Sequence, residues 1–347
     1  MAKRKLKRAA RRRRAAKQVS MAQVARHAGV SLITVSRALR QPNQVSEATR
    51  RQVESAMDKL GYVPNLIAGG LAATRTRIIA AIVPYIRHGV FADALQGLTD
   101  TLERNGYCVL LGNSAGSTEQ EEAIVRILLG HRPAGFVTQG ADHTAATRQL
   151  LRKANIPVIE MGTLPAEPIQ VAVGYSNEAA AGEMTRYLIA KGHRSIGFVN
   201  AHPDRNDRAA ARLRGYKTAL HEAAIEADPR LMKETSFDIR EGRLLLDYFT
   251  GLPKPPTAIF CASDLWAVGM IGECARRGIA VPGDLAIAGF NDQEIASEIS
   301  PSITTIRVPR YEIGRVAGKM ILDRIAGVEP DTHSIDVGFE LVSRQSA

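Results

Sequence analysis

Three stretches of the sequence hold residue types at spacings that could do chemistry. The first, Gly112-Asn113-Ser114-Ala115-Gly116, fits Gly-x-Ser-x-Gly after an apolar run and so offers a serine nucleophile. That motif needs its helix to begin directly after the serine. Here Ser117 and Gln120 form a capping pair that starts the helix later and leaves Ser114 in a loop, so a hydrolase is the lesser reading. His131, His143, His193, His202 and His221 follow, but their presence says nothing of their placement. No P-loop, zinc-ligand cluster or catalytic carboxylate pair appears at diagnostic spacing; no enzyme activity, metal or cofactor is expected. The second stretch brings Arg205, Arg208 and Arg212 together, which favours an anionic small molecule. The third is Leu32, Ile33, Thr34, Ser36 and Arg37, a mixture of hydrogen-bonding and apolar groups that suits base edges, thymine methyls and phosphates in a major groove.

The elements around the third stretch follow from apolar spacing. Met21, Val24, Ala25 and Ala28 lie on one face of a helix, and Gly29 stands where a helix end tolerates positive φ. Ser31 can cap a second helix with Val35 and Leu39 inward and Leu32, Ile33, Ser36 and Arg37 on the opposite face. A third helix runs from Ser46 with Val53, Ala56, Met57 and Leu60 on one side and Gly61 as its stop. Two short helices joined by so few residues read as a helix-turn-helix. The periodicity alone favours a solvated face on an ordinary bundle over a reading helix.

The formal charge of +11 is unevenly placed. Residues 1–17 hold ten Lys or Arg and no acid, which leaves 36 basic against 35 acidic residues beyond them. A basic arm beside a helix-turn-helix is what phosphate neutralisation asks for, although a solvated tail has the same composition. No apolar segment follows these charges as in an export signal, and no later run is long and apolar enough to span a membrane, so a cytoplasmic protein is expected. The three cysteines, Cys108, Cys261 and Cys274, are scattered and imply no disulfide framework; Cys108 and Cys261 sit in apolar runs and read as small core residues.

From Arg77 onward, short apolar runs alternate with amphipathic helical stretches. Strands are expected at 78–83, 107–111, 135–138, 157–160, 169–173, 196–200, 258–261 and 285–290. Helices are expected at 91–105, 119–129, 179–191, 212–224, 239–250 and 265–277. This pattern argues for parallel sheets in an α/β fold, and the strand count for two of them.

Val24-Ala25, Ala28-Gly29-Val30-Ser31, Thr34-Val35-Ser36-Arg37, Val45-Ser46 with Thr49-Arg50, and Gly61-Tyr62-Val63-Pro64-Asn65 with Leu71-Ala72 occur in order and register. Here the sequence resembles the lactose-repressor (LacI) family of bacterial transcription regulators. The likeness continues through Lys191-Gly192-His193, Arg212-Leu213-Arg214-Gly215-Tyr216, Ser263-Asp264, Ala288-Gly289-Phe290-Asn291-Asp292 and Pro301-Ser302-Ile303-Thr304-Thr305-Ile306. It implies an all-α helix-turn-helix domain followed by a periplasmic-binding-protein-like core of two Rossmann-like parallel-sheet subdomains gripping a small ligand. The expected divisions are an arm at 1–17, the DNA-binding domain at 18–64, a hinge helix and linker at 65–76, and the core at 77–347. Within the core, subdomain one takes about 77–174 and 307–333, and subdomain two about 175–306 and 334–347.

The resemblance also implies residue roles. Leu32, Ile33 and Arg37 would read bases, with Ser31, Thr34 and Ser36 beside them, while Asn65, Ala68 and Leu71 would act in the hinge helix, Leu71 as the minor-groove wedge. Arg212 matches the effector-binding arginine, Phe237 the aromatic that stacks on effector, Phe91 a cleft wall and Asn291 a polar contact. Family members usually have Asn at 263 and Asp at 291; Ser263 and Asn291 depart from both. Ligands of such folds lie outside the carboxyl ends of strands, where Ser263 and Asn291 would stand. Asp142, Glu160 and Asp264 would add acceptors for hydroxyls, although Asp264 and Arg212 could instead be a cap and a salt bridge. Residues 156–162 and 172–175 look like the gluconate-repressor branch. With the arginines at 205–212, they point to gluconate, a ketogluconate or a related sugar acid.

The expected protein is a homodimeric repressor that holds a near-palindromic operator and is released by effector. A sugar-binding protein without DNA activity is opposed by the first 72 residues. Gly69-Gly70 departs from the family hinge, and each glycine costs about 1 kcal/mol of helix stability relative to alanine. Hydrogen exchange without DNA should therefore find no protected amides from Ile67 to Ala72, with protection appearing only on operator; slow exchange in the free protein would contradict this.

Overall fold

The computed structural model describes residues 19–63, 76–87, 89–202 and 206–347, the Arg40 side chain excepted. The chain divides into two compact units, residues 1–74 and 75–347.

The first unit contains α1 (Met21–His27), α2 (Leu32–Arg40) and α3 (Glu47–Leu60). Each start is set by a serine. Ser20 and Gln23 form a reciprocal capping box, Ser31 Oγ accepts from Thr34 N at 3.0 Å, and Ser46 Oγ accepts from Thr49 N at 3.3 Å. Gly61 ends α3 with φ +63°, the left-handed conformation that favours glycine. Val24, Ala25, Ala28, Val35, Ala38, Val53 and Ala56 form a buried core in which all three helices share.

The second unit has two lobes. In the first, β1 (Ile78–Val83), β2 (Cys108–Asn113), β3 (Gly135–Gln139), β4 (Val158–Met161), β5 (Val171–Gly174) and β11 (Ser334–Asp336) make a parallel sheet of order β11-β5-β4-β3-β1-β2. Its faces are covered by α4 (Ala92–Glu103) with α12 (Arg310–Ile325), and by α5 (Thr118–Gly130) with α6 (Ala145–Lys153). In the second lobe, β6 (Ile196–Asn200), β7 (Met232–Glu234), β8 (Ala258–Cys261) and β9 (Ala286–Ala288) pair in the parallel order β7-β6-β8-β9. Around them lie α7 (Asn177–Ala190), α8 (Asp207–Glu222), α9 (Glu241–Thr250), α10 (Asp264–Arg277) and the short α11 (Ile295–Glu298). The crossing strands β10 (Thr305–Arg307) and β12 (Glu340–Val342) pair antiparallel.

Two expectations need correction. Ser334 pairs with Ala172 and Asp336 with Gly174, so the first sheet keeps the chain through β11 and the last crossing follows Asp336 instead of falling near Ser334. Cys108 is exposed because β2 is an edge strand, whereas Cys261 and Cys274 are buried. Among the described residues, no helix is long and apolar enough to cross a membrane.

Helix pairs within each lobe cross at glycines. A Cβ on Gly314 would lie 1.8 Å from the Ala94 carbonyl oxygen, and one on Gly97 2.1 Å from that of Tyr311, which locks α12 against α4. Gly314→Ala should lower stability by about 1–3 kcal/mol or more in urea unfolding, while Gly130→Ala, with open space around it, should be neutral or stabilising. Equal midpoints for the two variants would contradict this packing.

Candidate functional site

On α2 the inward residues are Val35 and Ala38, and the outward ones include Leu32, Ile33 and Arg37, all exposed. Ser36 is half-buried. The Ser31 and Thr34 hydroxyls bond to each other at 2.8 Å and belong to the cap. Asn65, Ala68 and Leu71 lie outside the described residues, as does Arg205.

A cleft runs between the lobes of the second unit at the carboxyl ends of their strands. The first lobe lines it with Tyr85 after β1, Phe91 at the start of α4 and Gln139 at the end of β3; the second with Asn206, Arg208, Arg212 and Phe237. Asn291 and Arg310 lie on the crossing side, and Asp142 near the mouth. Of the expected effector residues, Phe91, Arg212, Phe237 and Asn291 line one cavity, and Asp142 lines an adjoining one that shares Tyr85, Asn206, Arg208 and Phe237 with it.

Arg212 is buried at 8% exposure. Its Nε donates to Asn177 Oδ1 at 3.0 Å, Nη1 to the Ala262 carbonyl at 2.9 Å and Nη2 to the Tyr175 hydroxyl at 3.5 Å. The guanidinium carbon also stands 4.1 Å from the Phe290 ring centre. Among the described residues these hydrogen-bond partners are all neutral, and burial pulls the pKa of Arg212 below the ordinary arginine value. The neighbouring cations differ. Arg310 grips Asp93 at 2.8–2.9 Å and donates to the Asn291 carbonyl, and Arg208 lies 3.5 Å from Asp207. Phe237 is braced by stacking on Trp266, with centroids 4.8 Å apart, and Trp266 Nε1 donates to the Ser236 carbonyl at 2.9 Å. Burial, then the nearby charge of Asp207, raises the pKa of Asp142.

Three expected contacts are placed elsewhere. Glu160 is fully buried in β4, where it accepts from Ile169 N and lies 3.4 Å from His143 Nε2. His143 Nδ1 is 2.6 Å from Glu121 Oε1. Burial disfavours the imidazolium, but the bonds to Glu121 and Glu160 outweigh it and push His143 up to about 9. Asp264 is also fully buried: it accepts from the Thr305 hydroxyl at 2.6 Å and from Gln293 N at 2.8 Å, anchoring β10 and the loop after Asn291. Burial pushes its carboxyl up to about 7. Ser263 is buried at the start of α10, away from the cleft lining. Position outside a strand end is not enough when the side chain turns into the lobe.

Arg208, one of the three arginines expected to favour an anion, lines the cleft, whereas Tyr85, Gln139, Asn206 and Arg310 were absent from the expected set. The rule that placed Asn291 outside a strand end, applied to β1 and β3, would have pointed to Tyr85 and Gln139. The serine of Gly112-Asn113-Ser114-Ala115-Gly116 sits in a loop, and α5 begins only at Thr118, with Ser117 Oγ accepting from Gln120 N at 3.1 Å. It is not a nucleophile elbow.

A three-helix DNA-binding unit together with a two-lobed unit that holds a cleft defines a class, the ligand-responsive transcription regulators. Residues 20–65 match the model of bacterial regulatory proteins of the lacI family, and residues 185–347 that of the periplasmic binding protein-like domain. The chain is 34% identical over 328 residues to the HTH-type transcriptional repressor CytR of Escherichia coli K12, covering 94% of this chain and 96% of that one. It is 35% identical over 327 residues to the HTH-type transcriptional regulator GntR of Pseudomonas aeruginosa, covering 93% and 94%. Among solved structures, a LacI-family transcriptional regulator from Silicibacter pomeroyi superposes with a TM-score of 0.89 at 30% identity, covering 94% of this chain and 99% of that chain. The chain belongs to the LacI family and is a DNA-binding transcriptional regulator that binds an effector.

Two buried groups make stability depend on pH. Asp264 binds its proton more tightly folded than unfolded, so its contribution is complete below about pH 4 and is lost as pH rises through about 7. The contribution of His143 is complete below about 6.5 and is lost through about 9. Urea midpoints should therefore fall with rising pH through these windows, stability dropping by at most about 4 kcal/mol for Asp264 and about 3 kcal/mol for His143. Asp264→Asn should flatten the fall between pH 4 and 7, and His143→Gln the one between 6.5 and 9. Unchanged slopes in the variants would contradict the assignment.

Proposed function

We propose that this regulator binds a near-palindromic operator as a homodimer in the cytoplasm and represses transcription until a sugar acid, such as gluconate or a ketogluconate, enters the cleft and releases it. The observation that carries the effector class is Arg212: a buried guanidinium whose described hydrogen-bond partners are neutral leaves a place for a carboxylate. Phe237 offers a braced apolar platform for the carbon face of such a ligand. Asn206, Gln139, Asn291 and Asp142 offer donors and acceptors for its hydroxyls.

The operator contact is assigned to the outward face of α2, with Leu32, Ile33 and Arg37 reaching bases and Ser31, Thr34 and Ser36 beside them. Asn65, Ala68 and Leu71 are assigned to the minor groove. A ligand held between two lobes alters their relation, and a coupling of about 1–3 kcal/mol to the operator-bound state suffices for induction.

Calorimetry with D-gluconate, 2-keto-D-gluconate, D-glucose and adenosine, paired with gel shifts on a selected operator, tests the division of labour. Arg212→Ala should weaken sugar-acid binding at least tenfold, keep the operator and abolish release, while Arg37→Ala should lose the operator with effector affinity intact. Binding of only the neutral sugar or the nucleoside would overturn the effector class, and equal loss of both functions in either variant would overturn the assignment of roles.

A further inference from the structure

Leu32 and Ile33 stand side by side on the first turn of α2, 49% and 64% exposed. Their exposure is not a shortage of core, because Val35 and Ala38 supply the buried side of the same helix. Their immediate polar neighbours are committed: the Ser31 and Thr34 hydroxyls bond to each other, and Ser31 Oγ also accepts from Thr34 N. The leading turn of the helix therefore presents two branched hydrocarbon surfaces, and Arg37 follows one turn later on the same exposed side. The described part of this unit carries six basic residues against three acidic ones, a charge that suits a polyanion better than an apolar protein partner.

Among the base edges in the major groove, only thymine presents an apolar group, the methyl on C5; the other bases show hydrogen-bonding atoms there. We infer that this regulator reads its operator at two adjacent positions through thymine methyl groups, Leu32 covering one and Ile33 the other. Guanine or phosphate recognition falls to Arg37. The inference rests on the operator-binding reading above and gives it a base chemistry: the half-site contains neighbouring A·T pairs recognised by hydrocarbon contact. A 5-methylcytosine at either position carries its methyl on the same ring carbon and substitutes in part for thymine, so cytosine methylation creates affinity at these two steps.

The test starts from a duplex selected by the full-length protein from a random pool. Versions are then made with uracil replacing single thymines, and with cytosine or 5-methylcytosine at the same positions. Removing one methyl should weaken wild-type binding about fourfold at each of two neighbouring positions and about fifteenfold at both, the value of one buried methyl-sized group in each case. The dependence on salt should not change, since phosphate contacts are untouched. The 5-methylcytosine duplex should bind more tightly than the cytosine duplex.

Leu32→Ala with Ile33→Ala should bind the thymine and uracil duplexes equally, and because both side chains are exposed this variant should keep the wild-type melting temperature. Wild-type protein that fails to distinguish uracil from thymine overturns the inference while leaving operator binding intact. So does a double variant that still distinguishes them, or one whose only change is its mass in solution, which would make the pair a contact between copies. Failure to enrich any sequence from the pool removes the operator reading itself, and this inference with it.

Discussion

A guanidinium withdrawn from water and surrounded by neutral partners is the constraint around which the second unit is arranged. Taking a charge into a protein interior costs several kcal/mol unless something answers it. For Arg212 the answer is partial. Asn177, the Ala262 carbonyl and the Tyr175 hydroxyl accept its hydrogen bonds, and the Phe290 face adds a cation–π contact of up to about 2 kcal/mol. Asn177 carries the connection across the lobes, since its amide also donates to the Gly162 carbonyl at 3.1 Å. The cleft thus has both its charge deficit and its inter-lobe tie at one place. A ligand carboxylate there would answer the charge and bear on the tie together.

The lobes themselves resist deformation. Gly97 and Gly314 bring α4 against α12, Gly215 brings α8 onto the Glu178 carbonyl of α7, and Gly242 meets Gly269 between α9 and α10. Backbone in contact with backbone leaves little room to slide. The crossing segments, by contrast, are held by charge. Asp292 accepts from Arg344 and Arg307, whose hydrogen bonds outweigh the effect of burial and hold its pKa below the usual carboxylate value. Asp264 secures Thr305 and Gln293 from below, while Arg310 ties the Asn291 carbonyl to Asp93 on α4. Asn291 and Asp292 both have positive φ, at 107° and 52°. A residue that lines the cleft is thus covalently adjacent to the residue that clamps two crossing segments.

Much of this architecture was legible because each feature left a local mark. The serine caps at Ser31 and Ser46, the left-handed glycine after α3 and the mostly buried runs of β1, β3 and β4 follow from residue type and period. The missed elements left weaker marks. α12 buries Gly314, Ala317 and Gly318 alongside Ile313 and Ile321, so small residues interrupt its apolar face where it meets α4. α8 begins five residues earlier than its apolar period suggests, because Asn206 caps it through bonds to Arg208 N and Ala209 N. In the cleft, the family resemblance pointed to Arg212 and Phe237, and both line it; residue type was a weaker guide. It could not separate Asp142, which faces the cleft, from Glu160 and Asp264, which face inward: direction of the side chain is a tertiary property, and all three are acids near strand ends.

The three inward or half-inward acids also show why position alone misleads about ligand chemistry. A carboxylate that truly served a ligand would need its lone pairs open in the free protein. Both oxygens of Asp264 already accept hydrogen bonds, and Glu160 is engaged by Ile169 N and the His143 ring. Removing either acid would leave buried donors unanswered, a cost of about 1–3 kcal/mol for each donor whatever occupies the cleft. Their effect on effector binding, if measured alone, would be indistinguishable from loss of the scaffold. Arg212 differs in kind: its donors face acceptors that carry no charge, so the part of its electrostatics left over is available to a ligand. Asp264 and Glu160 belong to the frame, a distinction drawn by hydrogen bonds and burial and not by residue class.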